Sequence, residues 1–213
     1  MDKTIKVLIA DDHAIVRRGI KQVLAEIPGV QVTAEAASGA EVLELIDSSE
    51  FDLVLLDISM PRQSGIEVLK QIKWQKPDLP VLVLSIYPEE QFAVRALRAG
   101  SSGYLTKESA PDELKQAVIK IARGEKYITS SLAEKLASEI SLDRKKMPHE
   151  ILSDREYEVF NLLASGNTAS QVAQKMSLSV KTISTYRSRI LSKMNFKTNA
   201  QLTHYAFKHN LIE

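Results

Sequence analysis

The sequence predicts an α/β domain built on a parallel, doubly wound sheet, followed by a smaller all-helical domain. Three observations carry this. Short apolar runs alternate with amphipathic stretches up to Gly124, the alternation then stops, and beyond it apolar residues recur only at helical spacing.

In chain order, Lys6–Ala10, Gln31–Ala36, Leu53–Asp57, Val81–Ser85 and Gly103–Leu105 read as strands, being short and apolar or alternating. Between them Ile15–Glu26, Ala40–Ser48, Gly65–Trp74, Glu89–Ala99 and Asp112–Arg123 carry apolar residues at helical spacing. Five βα units in succession imply right-handed crossovers with helices on both faces, and the expected strand order is 2-1-3-4-5. Ser130–Ile140 reads as one more amphipathic helix, and Asp143–Glu150 as a charged connector containing Pro148. The domains are therefore placed at 1–124 and 151–213, with 125–150 as linker helix and connector. The second domain opens on Ser153 and Glu156, the spacing of a capping box. Its helices are expected at Asp154–Ala164, Ala169–Met176, Val180–Met194 and Ala200–His209. The connection from Met176 to Val180 is short enough for a helix-turn-helix, with Ser179 as N-cap.

Composition narrows the chemistry. The chain has no cysteine, which excludes disulfides and thiolate metal sites and fits a reducing compartment. Its four histidines, His13, His149, His204 and His209, include no pair at a zinc-protease spacing. The amino-terminal apolar stretch is too short for a signal peptide and no segment approaches membrane-spanning length, so the expected location is the cytoplasm, with no membrane partner. The net charge of +1 hides an asymmetry: residues 144–213 carry eleven Lys and Arg against five Asp and Glu, leaving seventeen against twenty-two before them. An acidic front half and a basic back half suit a carboxylate site joined to a nucleic-acid binder.

The acidic site is read from strand ends. Asp11 and Asp12 end strand 1, Asp57 ends strand 3, Ser85 ends strand 4 and Lys107 follows strand 5. In an open α/β sheet all of these meet at the carboxyl rim, where ligands bind. An isolated aspartate there is most often a turn former or a cap, and a lone lysine a solvated one. Three carboxylates at one place repel unless a cation sits among them, and Mg²⁺ is the natural one because it takes a few oxygens and keeps waters.

Asp11-Asp12, Asp57 followed by Met60-Pro61, Ser85, Tyr104 and Lys107 resemble the receiver domain of a bacterial two-component response regulator, a flavodoxin-like fold, over residues 4–124. The resemblance implies that Asp57 accepts a phosphoryl group from a sensor histidine kinase. It implies that Asp12 and Asp57 bind Mg²⁺ directly, Asp11 through water, and the Ser59 carbonyl as well. Lys107 would pair with the phosphate, Ser85 would donate its hydroxyl to it, and Tyr104 would follow Ser85 inward. The sequence departs from the common receiver pattern in having Ser85 for threonine, Glu108 rather than proline after Lys107, and bulky Ile86 and Tyr87. Tyr87 and Ser59 are expected to flank the acyl phosphate, with Tyr87 hindering water and the phosphoprotein long-lived.

In Val180–Met194 the apolar residues Ile183, Tyr186, Ile190, Leu191 and Met194 share one helical face. The other face shows Lys181, Thr182, Ser184, Thr185, Ser188 and Arg189, with Arg187 at the margin, cations and small hydroxyls suited to a major groove. Residues 152–209 resemble the LuxR-type helix-turn-helix, and the two domains together resemble the NarL/FixJ family; Lys181–Tyr186 is similar to its virulence-type, BvgA-like members. That implies a recognition helix at Val180–Met194 contacting double-stranded DNA. It also implies a homodimer on phosphorylation, and RNA polymerase as a further candidate partner; Leu202, Tyr205 and Ala206 of the last helix offer apolar side chains either for a dimer contact or for packing within their own domain.

The expected function is a phosphorylation-controlled transcription factor, not an enzyme beyond self-phosphorylation and dephosphorylation at Asp57. One alternative is a regulator controlled by partner binding without phosphorylation. The other is an aspartate-nucleophile phosphatase, disfavoured because such enzymes carry a second aspartate where this chain has Ser59.

Overall fold

The computed structural model describes residues 4–60, 63–140 and 147–212, and the side chains of Lys135 and of 137–140 are not among those described. Pro61 of the phosphoacceptor motif and the first part of the expected connector, 143–146, lie outside the described residues. The chain forms two compact units, one up to Glu134 and one from Lys135.

In the first unit five parallel strands, β1 (Ile5–Ala10), β2 (Val30–Ala36), β3 (Leu53–Asp57), β4 (Val81–Ser85) and β5 (Gly103–Thr106), pair in the order β2-β1-β3-β4-β5. The expected topology holds. Every residue of β3 and β4 is buried, as befits central strands covered on both faces. Edge strand β2 instead alternates half-buried with exposed residues.

The crossovers are α1 (Ala14–Ala25), α2 (Gly39–Ser48), α3 (Gly65–Gln75), α4 (Glu89–Arg98) and α5 (Pro111–Ala122). Helix α1 packs with α5, while α2 packs with α3 and α3 with α4. Val7, Ile9, Leu24, Leu53, Leu55, Leu82 and Val118 belong to one core cluster with the inward faces of α1 and α5. Side chains of this size stabilise the fold by about 1.5–3 kcal/mol each when fully buried.

Two glycines are required by close approach. A Cβ on Gly65 would lie 2.3 Å from Ile58 Cα and 2.5 Å from the Asp57 carbonyl oxygen. Glycine there lets the start of α3 sit directly against the end of β3. A Cβ on Gly103 would meet the Tyr127 carbonyl oxygen at 2.9 Å. After α5 the chain returns along β5, where Tyr127 forms a parallel bridge with Gly103 and donates its N–H to the Ser102 carbonyl at 2.8 Å. Two residues on, Thr129 Oγ1 donates to Glu89 Oε1 of α4 at 2.5 Å. Helix α6 (Ser130–Ile140) follows.

The second unit contains a 3-10 turn at Pro148–Ile151 and helices α7 (Asp154–Ala164), α8 (Ala169–Lys175), α9 (Val180–Met194) and α10 (Asn199–Lys208). The Ser153/Glu156 capping box forms as expected, and Ser179 accepts the Thr182 N–H at 3.0 Å. Thr168/Gln171 and Thr198/Gln201 make two further capping boxes. These caps satisfy N–H groups that each helix start leaves unpaired. The α8–α9 turn places Ser177 in the left-handed region at φ 53°, and α9 ends on left-handed Asn195.

On α10 the structure decides for packing within the domain. Leu202 and Ala206 are fully buried and Tyr205 is 9% exposed, its ring facing Phe160 and Phe196 and its hydroxyl 2.7 Å from His149 Nδ1. These side chains are core of their own domain, where α10 packs on α7. The exposed apolar side chain of α10 is Phe207.

Candidate functional site

The β-strands deliver the acids to one rim. Asp11 follows β1 and Asp57 ends β3; both are buried, at 1% and 0% exposure. Between them lies Lys107, just past β5, its Nζ 2.7 Å from Asp57 Oδ2 and 2.7 Å from Asp11 Oδ2. The Lys107 N–H donates to the Ser85 carbonyl at 2.7 Å, so the same loop ties β5 to β4. One cation thus serves two buried anions.

Burial works against the charge of Lys107, but Asp57 and Asp11 outweigh it and hold the ammonium pKa above its usual value. Burial likewise pushes the Asp57 carboxyl up, against the opposing pull of Lys107 and of the Ser59 N–H, which donates to Asp57 Oδ1 at 2.8 Å. The site is short of positive charge.

Asp12 is partly exposed and completes the acidic group. Ser59 Oγ is buried without a hydrogen bond. A buried oxygen lacking a partner, at a rim where three carboxylates meet one lysine, fits a hard divalent cation such as Mg²⁺.

Ser85 is fully buried, and its Oγ accepts the Tyr87 N–H at 2.9 Å. Tyr104, 1% exposed, donates its hydroxyl to the Tyr87 carbonyl at 2.8 Å. Burial drives the Tyr104 phenol pKa upward despite a hydrogen bond with Ser85, so the ring stays neutral. Ser85, Tyr87 and Tyr104 therefore form one bonded group beside Asp57. The Tyr87 ring stacks on Phe92 of α4, centroids 4.7 Å apart. The described residues contain no cis peptide bond.

Two participants escaped the sequence reading. His13 Nδ1 lies 2.9 Å from Asp12 Oδ1 and 3.3 Å from Asp11 Oδ1. Arg17 Nη1 donates to the Asp11 carbonyl at 2.7 Å while its Nε holds Glu35 at 3.0 Å. The available signal was position: His13 directly follows the acid pair, and Arg17 stands one helical turn further along α1.

On α9, Ile183, Ile190, Leu191 and Met194 are buried and Tyr186 half-buried, so the apolar face packs inward. Lys181, Ser184, Thr185, Ser188 and Arg189 are exposed. Thr185 and Ser188 donate their hydroxyls to the carbonyls of Lys181 and Ser184, at 3.1 and 3.0 Å, leaving oxygen lone pairs outward. Thr182 is half-buried in the N-cap, 2.7 Å from Ser179 Oγ. Arg187 is half-buried too and its Nε donates to Asn199 Oδ1 of α10 at 2.7 Å.

Residues 7–119 match the response regulator receiver domain, and 150–206 match the luxR family of bacterial regulatory proteins. The chain is 34% identical to the response regulator UvrY of Escherichia coli, over 97% of this chain and 95% of UvrY. It is 34% identical to the response regulator GacA of Pseudomonas aeruginosa over 98% of each. Among solved structures it resembles Salmonella enterica serovar Typhimurium RcsB bound to a promoter in the presence of the phosphomimetic BeF₃⁻. That match has 29% identity and a TM-score of 0.66, and covers 95% of this chain and 98% of that one. An RcsB–DNA complex matches with 27% identity and a TM-score of 0.60 over 99% of this chain and all of that one.

Proposed function

The chain belongs to the two-component response regulators that join a receiver domain to a LuxR-type DNA-binding domain, and from that premise we propose how its two sites act. It is a DNA-binding regulator of transcription. Asp57 is the phosphoacceptor and a sensor histidine kinase the donor. The observation that carries this reading is the single lysine, Lys107, held 2.7 Å from both Asp57 and Asp11 at the strand rim.

A carboxylate oxygen of Asp57 attacks the phosphorus of a phosphohistidine. The P–O bond forms as the P–N bond breaks, and the imidazole leaves with the electron pair. Lys107 holds Asp57 in place beforehand and faces the phosphoryl oxygens afterwards. Asp11, Asp12, Asp57 and the Ser59 carbonyl would hold Mg²⁺. When bound, that ion neutralises charge on the acids and the phosphoryl group.

Ser85 turns its hydroxyl from Tyr104 to the phosphoryl oxygen. The Ser85–Tyr87–Tyr104 group then rearranges and passes the change to α4. Tyr87 screens the acyl phosphate from water. No step turns over an external substrate.

The phosphorylated chain forms a homodimer and binds paired half-sites, with Lys181, Thr182, Ser184, Thr185, Ser188 and Arg189 at the DNA and Arg187 orienting α9. RNA polymerase is its downstream partner. Residues 125–150 act as the linker between receiver, 1–124, and DNA-binding domain, 151–213. Among the described residues no helix is long and apolar enough to cross a membrane. Together with the absence of cysteine, this supports action in the cytoplasm.

The test is sedimentation and DNA affinity at fixed salt with Mg²⁺, with and without beryllium fluoride, on wild type and Asp57→Ala. Dimerisation and tighter binding confined to wild type with the mimic is the expected result. Equal, unresponsive binding by both proteins would mean that a partner, not phosphorylation, controls the regulator.

A further inference from the structure

We propose that His13 is an additional ligand of the cation at the acidic rim and so decides which divalent ion the protein prefers. The inference rests on the metal reading above and goes beyond it, since an oxygen-only site has no need of an imidazole.

His13 stands at the N-cap of α1, yet its side chain accepts no N–H there. The ring is 64% exposed and could point to solvent; instead Nδ1 is turned onto the acids, 2.9 Å from Asp12 Oδ1 and 3.3 Å from Asp11 Oδ1. The His13 N–H donates to Asp11 Oδ1 at 2.8 Å, which fixes the acid relative to the ring.

One ligand atom from each of Asp11, Asp12, His13 and Asp57 lies within 4.8 Å of all the others. Bonds from divalent ions to oxygen or imidazole nitrogen run at about 2.0–2.2 Å, so opposed donors stand about 4.2 Å apart, and a group within 4.8 Å closes on one ion once its side chains draw in by a few tenths of an ångström.

Carboxylate oxygens serve Mg²⁺ and Mn²⁺ alike. Imidazole suits the first-row transition ions and adds little for Mg²⁺, which keeps water in that position. With Nδ1 available, this site favours Mn²⁺ over Mg²⁺ more strongly than its carboxylates alone would.

Mn²⁺ is the probe, added to the full-length chain, with electron spin-echo spectroscopy for nitrogen coupling and calorimetry for Mn²⁺ and Mg²⁺ affinities. Wild type should show the coupling of one directly bound imidazole, and His13→Ala should lose it. The Mn²⁺ over Mg²⁺ preference should fall about tenfold in that variant, chiefly through Mn²⁺. Circular dichroism should show both proteins equally folded, as expected for an exposed side chain.

Nitrogen coupling that is absent from wild type, or that persists in His13→Ala, overturns the proposal, as does an unchanged ion preference. A double variant, Asp12→Asn with Asp57→Asn, separates the two levels of inference. If it binds Mn²⁺ as wild type does, the ion is not at this rim and the metal reading falls as well.

Discussion

The acidic rim of the receiver and the outer face of α9 are built by opposite physical means. At the rim, buried acids share one lysine, and each group is fixed by partners 2.7–2.9 Å away. On the outer face of α9 Lys181 and Arg189 are exposed, and the hydroxyls of Thr185 and Ser188 bond to carbonyls of their own helix. Low dielectric makes every charge at the rim matter to folding as well as to chemistry. On the helix, charge matters chiefly when a polyanion arrives. The lesson is that substitutions at the rim should change stability and activity together, while those on α9 should change binding alone.

The largest expected break in that contrast comes from Lys107→Met. It leaves Asp11 and Asp57 buried without a cation, and removing one partner of a buried pair costs about 3–5 kcal/mol. Urea unfolding of the receiver transition should show the loss, and Mg²⁺ should recover part of it. A melting curve unchanged from wild type would mean that the rim is wetter than its burial implies.

Arg189→Ala should leave unfolding untouched and weaken DNA binding by about 1–3 kcal/mol if the side chain reads a base edge. If it meets a phosphate, the loss should be uniform across sequences and the salt slope should fall by about one. Arg187→Ala sharpens the comparison, because its bond to Asn199 predicts a stability loss that Arg189 lacks.

A smaller effect is expected at Tyr87→Ala. With the ring that stacks on Phe92 removed, the phosphorylated protein should lose its phosphate several-fold faster in a release assay, about 1 kcal/mol of barrier. A rate equal to wild type would end the screening role.

The smallest effect separates the units by pH. Burial raises the Glu156 pKa, but Lys193 at 2.6 Å and the Ser153 N–H outweigh it and hold the carboxyl below its usual value of 4.5. A depressed carboxylate contributes stability that is fully present above pH 4.5 and is lost as pH falls through the lower folded value. The second unit should therefore weaken as pH falls below 4.5, and Glu156→Gln should flatten that slope in a pH series of melts.

How much of this was legible depended on whether a residue's meaning lies in its own segment. β3 and β4 were delimited to the residue, because unbroken apolar runs ending on Asp57 and Ser85 have one buried solution. The other three strands each moved at one end by a residue, at Ile5, Val30 and Thr106, where flanking residues tolerate either state. Asp11, Asp12, Asp57, Ser85 and Lys107 could be assembled because topology alone sends those chain positions to one rim. Leu202, Tyr205 and Ala206 stood undecided because an apolar stripe looks the same whether it faces its own core or a second copy. His13 was passed over because only the rotation of its ring distinguishes it from a solvated loop histidine.

The bridge from Tyr127 to Gly103 matters for what the sheet does not do. β5 is an edge strand, and an uncovered edge offers a ready template to any extended chain. The returning segment occupies that side with its own backbone, donating from Tyr127 to Ser102. At this edge the sheet thereby offers less open backbone to the strands of other copies, whereas β2 at the opposite edge keeps one side unpaired by any other strand of the sheet.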